Sequence, residues 1–470
     1  MRVSVYYTYC QLEFGTMDSI IESPQMQTHA SIELLKLRDP DGNGIYASAD
    51  QLYRYAIFGR DSVVVGIDRV PFEPELPREI ILNLARFQGQ AKNPTTEEEP
   101  GRIHHEYRSS KFNNGDLPES SKEILKNLSQ KWGGTEDEMI YFGSVDATPM
   151  YVRLVVSYVN EYGPEILNEK IENRLGQKST IGDSIEQAVR WIETKIGESS
   201  IGLIEYKRSN PKGIRNQVWK DSETSYVHLD GSIANVDDGI AACEVQAYAY
   251  DALLGMAALT KDADRTNDLH TKATALRDSA IEHLWMEDVG MFAMGIDFHN
   301  GKPRQIKTPS SNSGLMLDSE ILLHPHPEQR ERFRAIAKGI AATIMSTDFL
   351  TLAGIRCRAL SATDLIDYPD YHGSYVVWPK ETAAIGRGMF RHGFTEHGDK
   401  LMQSVKASVG EYGFREFFYV DNDGNILDPQ DPNSTFVICS DPKLREQMSH
   451  SEKNQAWTIS AALLAESILN

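Results

Sequence analysis

Cysteine is scarce in this chain. Four stand in 470 residues, Cys10, Cys243, Cys357 and Cys439, far apart and without a CxxC pair. That spacing argues against a zinc site and a disulfide framework, and it points to reduced thiols in a cytoplasmic protein. Basic charge is also in deficit: 48 Lys and Arg face 68 Asp and Glu, a net charge of −20. Nucleic acid and anionic membrane surfaces both call for basic patches, so neither is an expected partner; a neutral or cationic ligand fits better. No run approaches the roughly 18 apolar residues of a membrane-spanning helix. The opening MRVSVYYTYCQLEFG lacks the clean apolar core and cleavage site of a secretory leader. There is no low-complexity linker and no strict repeat.

What the chain does have is helical period, met again and again. Pro77-Arg-Glu-Ile-Ile-Leu-Asn-Leu-Ala-Arg-Phe spaces its apolar residues for one face. So does the segment from Thr148 to Val159, with Thr148 as N-cap and Pro149 at the first helical position. Further helices are expected at 182–196, 241–260, 265–285, 326–345, 379–392, 396–409 and 453–469. The strand-like pieces IGLIEY, GMFAMG and FREFFYV are short and read as hairpins on loops. Two acidic runs, Glu97–Pro100 and Thr135–Glu138, read as solvated loops. The pattern predicts one all-α domain over residues 1–470, with residues 1–28 as an N-terminal extension packed on it.

Five polar-aromatic segments interrupt the helices: Phe58–Ser62, Arg102–Arg108, Tyr141–Thr148, Asn216–Gly231 and Asp370–Pro379. Each combines an aromatic with Asp, Arg or His near a helix start. Sugars need this mixture, because their apolar faces stack on rings while their hydroxyls need paired donors and acceptors.

The motifs FGRDS, HEYR, YFGSVDATP, NQVWKDS, CEVQAYAY, YHGSYVVWP and QAW occur in this order. Over roughly residues 30–465 the chain resembles the glucosidase part of glycogen-debranching enzymes. It is also similar to bacterial debranching-like and family 63 glycosidases, mannosylglycerate hydrolase among them. The resemblance implies an (α/α)6 barrel, an active site at one mouth and inversion at the anomeric carbon. Inversion needs a protonated carboxyl for the leaving oxygen and an ionised one for the attacking water, roughly 6.5–9.5 Å apart. The resemblance places the acid at Asp221 and the base at Glu416, in Gly413–Phe418. Trp219 and Tyr226 could bury Asp221 and raise its pKa. Lys220 is expected to point away from that carboxyl, to a substrate hydroxyl, and Arg415 to favour an ionised Glu416.

Arg60 and Asp61 are implied to hold hydroxyls of the bound sugar, although they could equally pair with each other. Tyr141, Asp146, His372 and Trp378 are placed in the same pocket by their motifs. Glu244 and Gln246 in CEVQAYAY read as sugar-binding or loop-orienting groups. Trp457 could close the mouth, stack the sugar or sit in the core. Read without the resemblance, Asp221 could be an Asx-turn carboxylate and Glu416 a partner of Arg415. Adjacent His104 and His105 face different ways, which suits structural roles better than a metal. YHGSYVVWPK departs from the commoner YHNGSVWPH: one extra residue separates His from Trp, and Lys380 stands where His is usual. That leaves the leaving-group side of the site open.

A second motif, Asp39-Pro-Asp-Gly-Asn-Gly-Ile-Tyr-Ala-Ser-Ala-Asp50, fits a calcium loop, with Asp39, Asp41, Asn43 and Asp50 as ligands and Gly at the sixth place. A tight Asp/Gly turn is the alternative. Taken together, the expectation is an inverting α-glycosidase for an α-glucoside or short α-linked oligosaccharide. It would need no cofactor beyond a structural Ca²⁺. The chain carries no β-sandwich domain ahead of the barrel, which favours small glycosides over branched glycogen. A sugar epimerase, which would favour His pairs, and a non-catalytic sugar-binding barrel are the alternatives.

Overall fold

The computed structural model describes residues 23–50, 52–323, 326–366 and 368–470. Cys10 and residues 1–22 of the expected N-terminal extension lie outside the described residues. Among those described, fourteen α-helices make up the frame: α1 Ser23–Lys36, α2 Gly59–Arg69, α3 Glu75–Arg86, α4 Glu119–Trp132, α5 Ala147–Tyr162, α6 Ile181–Glu198, α7 Cys243–Leu259, α8 Ala263–Leu284, α9 Asn312–Leu315, α10 Arg330–Ile344, α11 Pro379–Arg391, α12 Thr395–Tyr412, α13 Pro442–Arg445 and α14 Ala456–Leu469. About half of the chain is helical, with only small sheets.

The helices are of two kinds. α6 buries Ile181, Ile185, Ala188, Val189 and Ile192, three or four residues apart, and leaves its other face wet. α7 and α14 are instead buried nearly all round, as expected of helices with neighbours on every side. Packing follows that division. α2 lies against α5 and α14, α5 against α7, α7 against α9, α9 against α11, and α11 against α14. A second helix backs each: α3 on α2, α6 on α5, α8 on α7, α10 on α9, α12 on α11 and α1 on α14.

Buried ion pairs tie the inner helices together about two turns beyond their starts. Arg387 (α11) pairs with Asp68 (α2) at 2.7 Å and with Asp318 at 2.8 Å, and Arg153 (α5) pairs with Asp251 (α7) at 2.9 Å. Ser460 (α14) donates to Asp68. Breaking one partner of such a set strands a buried charge, so the set fixes how the helices align.

Several local expectations change. α5 begins at Ala147, and Thr148 does not cap it; its hydroxyl accepts from the Ile103 amide. The cap is used on α6, where Thr180 and Asp183 form a reciprocal capping box. The strand pieces pair over long distances as well as locally. Phe418–Tyr419 pairs with Val376–Val377, and Gly295–His299 pairs with both Lys302–Ile306 and Ile240–Ala242. IGLIEY contributes only an isolated bridge, Tyr206 to Ile240. The Thr135–Glu138 run is exposed as expected, but Glu97–Pro100 is not a solvated loop. Glu97 is buried and accepts from Gln217 and from the Asn210 amide. Glu99 takes Lys195 at 2.8 Å and the Trp191 indole at 2.6 Å.

In the Asp39–Asp50 turn, Asp39 accepts from the Asn43 amide, the Asn43 side chain and the Tyr46 hydroxyl. Asp50 accepts from the Lys453 amide instead. Among the described residues, no group of three or more His, Cys, Asp or Glu is gathered as for a metal.

Candidate functional site

The inner helices α2, α11 and α14 begin around a cavity of about 390 Å³. Their first turns supply Arg60 and Asp61 (α2) and Trp457 (α14), and the loops just ahead supply Phe58, Trp378 and Gln455. Helix starts carry exposed N–H groups and a partial positive charge, so polar side chains and ligands collect there. Gly59 is required at this corner: a Cβ would collide with the His104 carbonyl. The 216–231 loop adds Trp219, Asp221, Ser222 and Glu223, and the 413–420 loop adds Glu416.

The walls are aromatic. Trp378 packs edge-on to Trp219 (5.9 Å between centroids, 81°) and to Trp457 (5.5 Å, 78°), and it stacks on His372 (5.1 Å, 13°). Its indole N–H donates to the Tyr371 carbonyl at 2.8 Å, which fixes the ring. Lys380 lies below, its ammonium 3.5 Å over the Trp219 ring and 4.9 Å over Trp457, in cation–π geometry.

Two carboxyls far apart in sequence face this cavity. Asp221 has 26 % of its side chain exposed, toward the cavity. Its Oδ1 accepts from the Tyr371 hydroxyl at 2.9 Å, and its Oδ2 lies 3.9 Å from Arg60 Nη1. Burial pushes its pKa up to about 6, against the opposing pulls of Arg60 and Tyr371. Glu416 is buried. Burial pushes it well above the usual carboxylate range; its contact with the Glu452 backbone lowers it, and the charges of Glu452, Asp61 and Asp221 raise it further. Arg415 does not pair with Glu416: its guanidinium donates to the Ser451 carbonyl. Asp61, also buried, is pushed up to about 7 by burial, against the pull of Arg60 and Lys380.

Of the residues expected here, Arg60, Asp61, Trp219, Asp221, Trp378, Glu416 and Trp457 line the cavity. The others do not. Asp146 stands behind Arg60, accepting from its Nε at 2.7 Å. Arg60 and Asp61 are therefore not each other's partners. Lys220 points away from Asp221, and away from the cavity: its buried ammonium donates to Ser310 Oγ, Ser311 Oγ and the Cys357 carbonyl at 2.6–2.8 Å. Glu244 accepts from Asn312 at 2.9 Å. Gln246 clamps both backbone groups of Ile204. Tyr141 stacks on Trp132 (4.4 Å) and accepts from the Ile214 amide at 2.9 Å. His372 is held through Nδ1 by Ser222 Oγ at 3.1 Å. Tyr226 is buried beside Tyr206 and is not the group that shields Asp221.

These residues brace the loops from behind. Sequence reading passed over several that do face the cavity: Tyr53, Glu106, Asp370 and Tyr371. Tyr371 had the clearest signal, standing beside His372 inside a quoted motif. Tyr53 comes from a turn with no period, and Glu106 opens a short strand, Glu106–Ser109, within the HEYR motif. His105 reaches the cavity wall while packing against Trp132, and His104 is buried among Phe87, Tyr107 and Phe142.

Among solved structures, the fold is similar to that of a GH63 mannosylglycerate hydrolase from Thermus thermophilus in complex with glucose. The TM-score is 0.60 at 14% identity, covering 93% of this chain and 99% of that one. It is also similar to a wild-type glycosidase and to a variant glycosidase in complex with glucose, each with a TM-score of 0.53 at 11% identity, covering 95% of this chain and 96% of the other. No curated protein sequence matches the chain. Residues 182–427, which include Asp221 and Glu416, match the mannosylglycerate hydrolase MGH1-like glycoside hydrolase domain. The match spans more than half of the sequence, and the chain belongs to the MGH1-like family of glycoside hydrolases.

Proposed function

We propose that the protein is an inverting α-glycosidase that hydrolyses an α-glucoside or a short α-linked oligosaccharide. Its inner helices α2, α5, α7, α9, α11 and α14 and the six that back them form an (α/α)6 barrel. The observation that carries the reading is the meeting of Asp221 and Glu416 in one aromatic-walled cavity. Debranching-type α-1,6 specificity, a cytoplasmic location and independence from any cofactor are parts of the same proposal. Among the described residues no helix is long and apolar enough to cross a membrane. A calcium ion in the Asp39–Asp50 loop is a separate proposal, and calorimetric titration of chelator-treated protein with Ca²⁺ tests it.

In this mechanism Asp221 gives its proton to the glycosidic oxygen as the bond to the anomeric carbon breaks. Glu416 takes a proton from the water that attacks the opposite face of the ring, so the product has inverted configuration. A pKa near 6 suits Asp221 as a donor in weakly acidic to neutral water. Glu416 is pushed upward too. The charge of Asp221 is among the causes, after burial and the charges of Glu452 and Asp61. The working form has a proton on Asp221 and none on Glu416. Asp61 and Arg60, presented on the first turn of α2, hold hydroxyls of the bound sugar. Trp378 and Trp457 give its apolar face a surface.

Proton NMR of the first-formed sugar tests the stereochemistry. Release of the β-anomer from an α-glycoside is the expected result, and release of the α-anomer excludes inversion. Asp221→Asn and Glu416→Gln should each stay folded and lose about 10²–10⁴-fold in kcat.

A further inference from the structure

Asp370 is buried against the cavity, yet both of its carboxyl oxygens are taken. Oδ1 accepts from the His372 amide at 2.7 Å, a turn within its own loop. Such a turn needs one oxygen and no partner from elsewhere. Asp370 has two more partners. Oδ1 also accepts from Ser222 Oγ at 2.8 Å, and Oδ2 accepts from Thr224 Oγ1. Both hydroxyls belong to the loop that carries Asp221, 148 and 146 residues away in sequence. His372 Nδ1 meets the same Ser222 Oγ at 3.1 Å. Tyr371, between Asp370 and His372, donates to Asp221 itself at 2.9 Å. Arg358 closes the lacing: its buried guanidinium donates to the Thr224 and Ser225 carbonyls at 3.4 Å, within the field of Asp370.

Asp221 depends on such ties. It stands in a stretch that is neither helix nor strand, so no regular backbone fixes where its carboxyl lies. On one side Lys220 is anchored by Ser310, Ser311 and the Cys357 carbonyl. On the other side Asp370 holds the hydroxyls of Ser222 and Thr224, while Asn216 donates to the Ser222 carbonyl at 2.7 Å. A general acid has to come within hydrogen-bond reach of the oxygen it protonates. A misplacement of about 1 Å can cost roughly 100-fold in rate. We infer that Asp370 is a positioning residue for the acid: through Ser222, Thr224 and Tyr371 it sets where Asp221 presents its proton, and it touches no reacting atom itself. This rests on the hydrolytic reading above, with Asp221 as the acid, and deepens it.

The test compares an alkyl α-glucoside, whose leaving oxygen needs the acid's proton, with α-glucosyl fluoride, whose leaving group does not. Asp370→Ala in the purified chain should lower kcat on the alkyl glucoside by roughly 10–100-fold, and the loss on the fluoride should be at least about fivefold smaller. Asp370→Asn, whose amide can still bond both hydroxyls, should restore much of the alkyl rate. Thr224→Val cuts one tie and leaves Asp370 in place, and it should show the same split in smaller measure. Asp221→Asn is measured beside them. If Asp221→Asn fails on the fluoride or keeps its rate on the alkyl glucoside, the acid assignment fails and takes the inference with it. If Asp221→Asn shows the full split but Asp370→Ala lowers both rates equally, or neither, only the inference is overturned. Thr224→Val decides in the same way should Asp370→Ala not fold. A loss confined to KM on the alkyl glucoside would put Asp370 on the aglycone and overturn the inference as well.

Discussion

Asp221 and Glu416 face the same cavity from contrasting surroundings. Asp221 opens onto it and is touched by a guanidinium and a phenol, both of which favour its ionised form. Glu416 is more deeply buried, its neighbouring arginine is turned to a backbone carbonyl, and its charged neighbours are acids. The residue before or after a carboxyl in sequence says little about its field. Lys220 and Arg415 each adjoin one of these acids, and each spends its charge elsewhere. Burial favours a proton on both carboxyls.

The largest effect is expected at Glu416→Gln, which should lower kcat by about 10²–10⁴-fold while leaving the melting temperature near that of the parent. Thermal unfolding beside steady-state kinetics checks both halves. Next comes Arg60→Leu. It strands the fully buried Asp146 and should cost about 3–5 kcal/mol in a denaturant titration. Lys220→Met leaves Ser310, Ser311 and the Cys357 carbonyl without their shared donor. It should cost about 1–3 kcal/mol by the same measurement, although Lys220 does not line the cavity.

The smallest effect is expected in the pH profile. Asp221 must be protonated to act, so kcat/KM should fall as pH rises through about 6. The Tyr371 hydroxyl favours the ionised form, so Tyr371→Phe should move that limb to higher pH, by less than about one unit. A downward move would mean that the limb belongs to another group.

The long apolar periods were legible in the sequence because α7, α11 and α14 are specified by their own residues. The motif loops were legible as a set, and they led to Asp221, Glu416, Arg60 and three of the four tryptophans of the cavity, Trp219, Trp378 and Trp457. What stayed hidden depends on contacts made across the chain. Glu97 looked like part of a solvated acidic run, yet Gln217 and Asn210 enclose it from more than a hundred residues away. Tyr141 and Gln246 belong to sugar-site motifs but brace the Ile214 and Ile204 backbones. Tyr53 carries no local pattern, and only the fold brings it to the cavity. Thr148 and Pro149 suggested a helix start that the chain makes two residues earlier, at Ala147, and Thr148 holds Ile103 instead.

The central claim is the division of labour between the two carboxyls, and an α-glycosyl fluoride tests it most directly. Fluoride leaves without a proton from the enzyme, so a missing acid matters little and a missing base still matters fully. Asp221→Asn should hydrolyse the fluoride at a rate near that of the parent while failing on an alkyl glycoside, and Glu416→Gln should fail on both. Failure of Asp221→Asn on the fluoride, or turnover of it by Glu416→Gln, would contradict the assignment.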